Sequence, residues 1–401
     1  APVINSFAPT TASAGTKTVL TINGSGFGSS GTVSFADADD GGDSFIEALS
    51  TQIVSWSDTA IQVEIPSGAG TGKVRVNGAS TFTSADDLTI EYAETNVEFD
   101  PDGSGAQLAR AYNVQHYGQS NNGYTWSMQT DFFNDTEHPG ARAAFERAFD
   151  TWRCNTGINW VVGNSATPVD VVSNSDNINV IRFDNGSELE SGVLATCYSH
   201  YQGCGSYPNI NWYVLGMDIV FDGDISYWNF GPSATTGLEI DFQSVALHEL
   251  GHGHQLAHVN DTNDLMNWNI GLLEDQRVLE STNIIAASNV QERSNTNMIC
   301  NLSLMNNYSG SCSLSVAEDE LSNALTVYPN PVRNQLFIES ASTSNLVKAI
   351  IYDINGRLIS EYDISNSSKL KTIDLLNVSK GMYFIKIKSD TAEVTKKVIV
   401  H

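Results

Sequence analysis

The sequence predicts a multidomain chain in which an α+β middle domain is flanked by two all-β sandwiches. Three observations predict it. Short alternating strands separated by turn residues fill both ends of the 401 residues, while apolar residues at helical spacing occur only in the middle. Charge steps at the same places. Residues 1–93 carry three basic and ten acidic side chains, net −7, and residues 325–401 carry ten basic and seven acidic, net +3. The segment between holds seven Arg, no Lys and 29 acids, net −22. The boundaries read from this are 1–93, 94–295, a linker with a Cys loop at 296–324, and 325–401.

The first strands are Thr18-Val-Leu-Thr-Ile22, Thr32-Val-Ser-Phe35, Ile61-Gln-Val-Glu-Ile65, Lys73-Val-Arg-Val-Asn77 and Leu88-Thr-Ile-Glu-Tyr92. Strands at this spacing signal a sandwich. The Gly cluster at 24–28 is not a phosphate cradle, because no helix signal follows it. The acidic loop Asp37–Asp43 reads as a solvated loop, with Ca²⁺ as the alternative.

In the middle segment, Thr136 is the expected N-cap of a helix running to about Cys154. Ala141, Ala144, Phe145, Ala148, Phe149 and Trp152 form its apolar face, and Gly157 is the stop. Strands are expected at Ile158–Val162, Ile178–Phe183 and Met217–Phe221. Asp241 caps a second helix, and a third runs from Thr282 to about Arg293. The tail returns to β, with strands at Leu336–Glu339, Val347–Tyr352, Leu358–Tyr362, Met382–Ile387 and Lys397–Val400.

Of five cysteines, Cys197/Cys204 and Cys300/Cys312 are close enough in sequence to close short loops. That leaves Cys154 over, unless it pairs with one of the others. Cys154 follows Trp152 on an amphipathic helix and is expected to be structural rather than catalytic.

A net charge of −26 repels phosphate, so nucleic acid and anionic membranes are disfavoured as partners. No apolar run approaches the roughly 20 residues of a membrane-spanning helix. The chain opens on Ala1 without a charged and apolar leader, so any secretion signal is expected to be already removed. A monomer is expected.

The stretch that carries chemistry is His248-Glu-Leu-Gly-His252-Gly-His-Gln-Leu-Ala-His258. Residues four apart share a helix face, so His248 and His252 can bind one metal, and a third ligand leaves a position open to water. Glu249 adjoins the first ligand and is placed to take a proton from that water. His254 competes as third ligand, but lies about 200° round a helix from His252, so His258 is preferred. One catalytic Zn²⁺ is implied.

These residues resemble the metzincin metalloproteases, whose pattern HExxHxxGxxH precedes a Met-turn. His248, Glu249, His252 and His258 match, and Met266 follows His258 at the interval of the matrixin branch. Ala144–Trp152, Leu194–Tyr198 and Met217–Asp222 look like the matrixin first helix, edge strand and adjoining strand. The resemblance implies a zinc endopeptidase that pairs an extended peptide with Leu194, Ala195 and Thr196. Met266 would then pack beneath the metal, and Asp218, Asp222 and Asp224 would be possible Ca²⁺ ligands. Three departures stand out. Gln255 replaces the family's turn glycine, Thr196 and Val220 replace the imidazoles of a structural zinc, and Trp268 stands where astacin-type enzymes carry a Tyr.

At the N-terminus, Pro2–Pro9, Ile22–Gly28 and Val33–Phe35 resemble the IPT/TIG family of immunoglobulin-like domains. In the tail, Tyr328-Pro-Asn-Pro331, Ile351–Leu358, Ile373-Asp-Leu and Lys380–Ile385 resemble the sorting domain of bacterial type IX secretion. That resemblance implies contact with the type IX machinery and a secreted or cell-surface location. The function expected is a secreted zinc endopeptidase. The rival is a cell-surface adhesion or binding protein retaining a zinc site that does not turn over. A second rival hydrolyses a non-peptide amide.

Overall fold

The structure, a computed structural model, describes residues 3–103, 108–186, 188–233, 235–271, 274–310, 312, 325–340, 346–353, 357–365, 370–376, 378–389 and 393–401. It forms two compact units, Ala1–Phe230 with Gly237–Gly310, and Gly231–Thr236 with Ser311–His401. Of the expected linker 296–324, residues 311 and 313–324 lie outside the described residues, as does the centre of the Ile351–Leu358 motif, 354–356.

The first unit begins as a sandwich of two antiparallel sheets. One orders Val3–Ala8, Val19–Ser25, Ala60–Glu64 and Ile53–Trp56; the other orders Phe45–Glu47, Thr32–Asp37, Ala69–Asn77 and Thr81–Thr83. Side chains alternate across a strand, so Leu20, Ile22, Ile61 and Val63 of the first sheet are buried, as are Val33, Phe35, Val74 and Val76 of the second. Each such side chain contributes about 1.5–3 kcal/mol relative to exposure. The last strand, Thr89–Glu94, leaves this pattern. It runs parallel to Thr11–Ala14, and its end pairs antiparallel with Leu256–Ala257, in the register Ala93↔Ala257 and Glu94↔Leu256. A single apolar core continues from the sandwich into the residues beyond.

Those residues form a twisted sheet ordered Asn96–Phe99, Arg110–Gln115, Asn209–Phe221, Asn179–Phe183, Tyr124–Met128 and Trp160–Val162. Ala195–Ser206 pairs antiparallel with Asn209–Phe221, its one strand partner among the described residues. Among the described residues, four α-helices accompany the sheet: α1 (Thr130–Phe133), α2 (Ala141–Thr156), α3 (Phe242–Gly253) and α4 (Ser281–Thr296). All six apolar residues expected on the α2 face are buried. The helix starts later than expected, at Gly140 rather than Thr136. Asp135 takes over the capping, its Oδ1 accepting the Arg142 N–H at 3.0 Å. Gly157 stops α2 at φ 72°, where a Cβ would be strained.

Asp241 caps α3 as expected. Its Oδ2 accepts the Ser244 N–H at 3.0 Å and the Arg277 Nε–H at 2.8 Å, so a buried carboxylate is both cap and ion-pair partner. Trp152 joins α2 to α3 by donating its indole N–H to the Leu247 carbonyl at 2.7 Å.

The expected short disulfide loops are replaced by a longer connection. Cys204 is bonded to Cys300, 96 residues away, with Cα atoms 5.8 Å apart. Cys197 and Cys204 lie on the same extended strand, where seven residues span roughly 23 Å, beyond any disulfide's reach. Cys154 and Cys312 are also disulfide-bonded, which leaves Cys197, rather than Cys154, as the free thiol.

The second unit is a sandwich of a three-stranded sheet, Leu325–Tyr328, Gln335–Ser340 and Leu370–Asp374, and a four-stranded one. The latter orders Leu358–Asp363, Leu346–Asp353, Gly381–Ser389 and Glu393–Val400. Leu336, Ile338, Ile351, Ile373, Ile385 and Ile387 centre its core. Among the described residues, no helix is long and apolar enough to cross a membrane.

Candidate metal centre and cleft

His248 and His252 are one turn apart on α3, and the chain turns after His254 to bring His258 to the same point. The Nε2 atoms are 3.0 Å apart for His248 and His252, 3.2 Å for His248 and His258, and 3.1 Å for His252 and His258. Each ring is held from its other nitrogen. His248 Nδ1 is 2.7 Å from the Leu265 carbonyl, His252 Nδ1 is 2.9 Å from the Leu256 carbonyl, and His258 Nδ1 is 2.7 Å from Asp39 Oδ1. Those oxygens accept only, so each Nδ1 is the donor in its contact and each Nε2 faces the common point. Three Nε2 atoms converging on one point, each ring anchored from its far side, fit a cation. Tetrahedral ligation at 2.0–2.1 Å places nitrogens roughly 3.3 Å apart, close to the spacing found. Burial holds His248 well below its ordinary pKa and His252 down to about 3, with the neighbouring imidazoles acting in the same direction. Both rings are neutral at pH 7 and ready to ligate. Among the described residues, these three form the one group of His, Cys, Asp and Glu side chains gathered closely enough for a single ion.

Gln255 makes the turn that a glycine makes in the family pattern. It sits at φ 67°, costing about 1–2 kcal/mol for an L-residue. The side chain is fully buried and tethered. Its Oε1 accepts from the Tyr201 hydroxyl at 2.9 Å, and its Nε2 donates to Ser199 Oγ at 3.1 Å and the Gly253 carbonyl at 3.2 Å. His254 points away from the metal position, as its helical angle predicts, and packs against Trp152 and Trp160.

Met266 is buried beneath α3, and a Cβ at Gly251 would run into its sulfur. Asp264 fixes the Met-turn. Its Oδ1 accepts the Met266 N–H at 2.7 Å and the Asn283 amide at 2.8 Å.

Glu249 faces a cleft of about 560 Å³ whose floor is the three His. Leu194, Ala195, Thr196 and Cys197 form one wall, and Trp268, Asn269 and Ile270 another. Burial pushes the Glu249 carboxyl up to about 8, opposed by a hydrogen bond from the Cys197 backbone N–H. Among the described residues, the wall strand is hydrogen-bonded to one neighbouring strand, which leaves its other edge without a strand partner there.

The three aspartates considered for calcium do not converge. Asp218 is buried and accepts the Val180 N–H at 2.8 Å and the Ser173 N–H at 3.0 Å, with His200 Nε2 at 3.2 Å. Asp222 caps its own turn through the Asp224 N–H at 2.8 Å. The Asp37–Asp43 loop is neither merely solvated nor arranged around an ion. Asp37 and Asp40 accept backbone N–H groups of the loop, and Asp39 reaches His258.

Asp39 and the Cys197 N–H were missed in the sequence. The acidic loop was visible, but nothing in its spacing marked a contact with residue 258.

Residues 117–289 match the family model for matrixin. The middle of the chain is a matrixin domain. Residues 2–92 match the IPT/TIG domain, and residues 326–401 match the secretion system C-terminal sorting domain. The order of the three matches is the order expected. The matrixin domain and the sorting tail together describe a secreted metalloprotease, exported by type IX secretion to the cell surface or extracellular space. Among curated proteins, none matches the chain. One solved structure, a DUF3244-family protein with an immunoglobulin-like β-sandwich fold from Bacteroides vulgatus, aligns at 23% identity. It covers 19% of this chain and 82% of its own, with a TM-score of 0.17, too low to support any argument.

Proposed function

We propose that the matrixin domain is a zinc endopeptidase acting on protein or peptide substrates, with His248, His252 and His258 as ligands and Glu249 as general base and acid. The observation that carries this reading is the convergence of three imidazole Nε2 atoms within 3.2 Å of one another beside a buried carboxylate. Zinc bound there supplies a Lewis acid that polarises a carbonyl and acidifies water. The residues of the chain do the rest. Leu194, Ala195 and Thr196 lay an extended substrate along the open strand edge by main-chain hydrogen bonds. Glu249 takes a proton from the attacking water and passes it to the departing amine. An open strand edge beside the floor suits a peptide main chain better than a small amide.

The test is metal content and casein cleavage for wild type and Glu249→Ala, with and without a chelator. Stoichiometric zinc in both, with chelator-sensitive cleavage in wild type alone, is expected. Bound zinc without cleavage of any peptide library would overturn the peptidase reading.

A further inference from the structure

We infer that Asp39, a residue of the N-terminal immunoglobulin-like sandwich, is a positioning residue for the third metal ligand, so that the sandwich is a working part of the metal centre. The inference rests on the zinc reading above. His248 and His252 are fixed by α3 and by carbonyls 17 and 4 residues away in sequence. His258 lies beyond the helix, and its Nδ1 partner comes from 219 residues away. A carboxylate in that position fixes the tautomer and ring orientation, and raises the basicity of the ligating nitrogen more than a carbonyl does.

The contact is built from both sides. Asp39 sits in a 3₁₀ turn, Ala38–Asp40, closed by its own N–H to Asp37 Oδ1 at 2.9 Å and by the Ala38 N–H to the Gly68 carbonyl at 2.8 Å. Two residues past His258, the Asn260 amide donates to the Asp37 and Thr71 carbonyls at 3.3 and 3.2 Å. On the other flank, Ala93–Glu94 pairs with Leu256–Ala257, and the Thr95 N–H donates to the Gln255 carbonyl at 2.9 Å. Next to Asp39, Gly41 at φ 76° lies so close to Trp268 that a Cβ would come within 2.8 Å of the indole nitrogen. The sandwich therefore grips the chain before and after His258, and Asp39 holds the ring between.

The Asp39 side chain is 71% exposed, so its hydrogen bond adds little to folding and its removal leaves the fold intact. The test uses the full chain and measures the zinc dissociation constant by competition with a chromophoric chelator, alongside the unfolding midpoint of the metal-free protein. Asp39→Ala is expected to weaken zinc binding about 10–100-fold without moving the metal-free midpoint. Asp39→Asn, whose amide oxygen still accepts, is expected to lose less, and the exposed neighbour Asp43→Ala is expected to match wild type. If Asp39→Ala weakens zinc binding no more than Asp43→Ala, the positioning role is overturned while the zinc site stands. If wild type takes up no zinc, the metal reading itself fails, and this inference with it.

Discussion

Tyr201 donates its hydroxyl to Gln255 Oε1 at 2.9 Å, tying the edge strand of the cleft to the turn that brings His258 to the other two imidazoles. The side chain that breaks the family's glycine rule is the one through which the substrate wall and the ligand turn are joined.

Two opposing effects meet at Gln255. Glycine would relieve about 1–2 kcal/mol of left-handed strain but lose the tether. Alanine would keep the strain and leave Tyr201 and Ser199 without this partner, at about 1–3 kcal/mol per buried group left unsatisfied. Gln255→Ala should therefore be less stable than Gln255→Gly by about 1–2 kcal/mol, and both less stable than wild type. Urea unfolding of the three proteins checks the order. Equal stability of the two variants would mean that the backbone strain is relaxed.

Burial raises the folded-state pKa of Glu249 to about 8 from an ordinary 4.5. Between those values the folded metal-free protein holds a proton that the unfolded chain has lost, so stability falls as pH rises. Glu249→Gln has no such proton. The metal-free variant should gain on wild type steadily from pH 4.5 to 8, by at most about 1.4 kcal/mol per pH unit. Denaturant melts at pH 5, 6.5 and 8 read the gap directly, and effects of the histidines common to both proteins cancel.

Gly251 lies within the ligand helix against the Met266 sulfur. Gly251→Ala forces that contact apart, at about 1–3 kcal/mol as in other overpacked cores. Because the helix carries His248 and His252, zinc affinity should fall as well. Unchanged affinity in a destabilised variant would show that Met266 supports the fold but not the ligand geometry.

Cys204 and Cys300 close a loop of 96 residues. Replacing both by Ser should cost about 3–5 kcal/mol of unfolding free energy, the entropy of leaving so long a loop open in the denatured chain. Cys197→Ser, at the free thiol, should cost much less. Guanidinium unfolding under non-reducing conditions separates the two.

The gathering of the three imidazoles was legible because His248, Glu249, His252 and His258 fall within eleven consecutive residues, where helical geometry alone puts His248 and His252 together. The α3 cap was legible for the same local reason. The start of α2 was not, since Asp135 caps from outside the expected position, and an Asp in a turn looks like any other polar residue. The disulfide was misread because closeness in sequence means distance along a strand. Asp39 was beyond reach, since an acidic loop has the same composition whether it faces water or a histidine 219 positions away.

Immunoglobulin-like modules are commonly exchanged between proteins as beads on a string, their surfaces indifferent to the neighbour. The strand pairing of Ala93 with Ala257 removes that freedom here. A replacement module would have to present a strand end in the same register, and an acid at the tip of one loop. Inheritance of the first ninety residues is thereby tied to that of the ligand turn, and the two should change together or not at all when such proteins diverge.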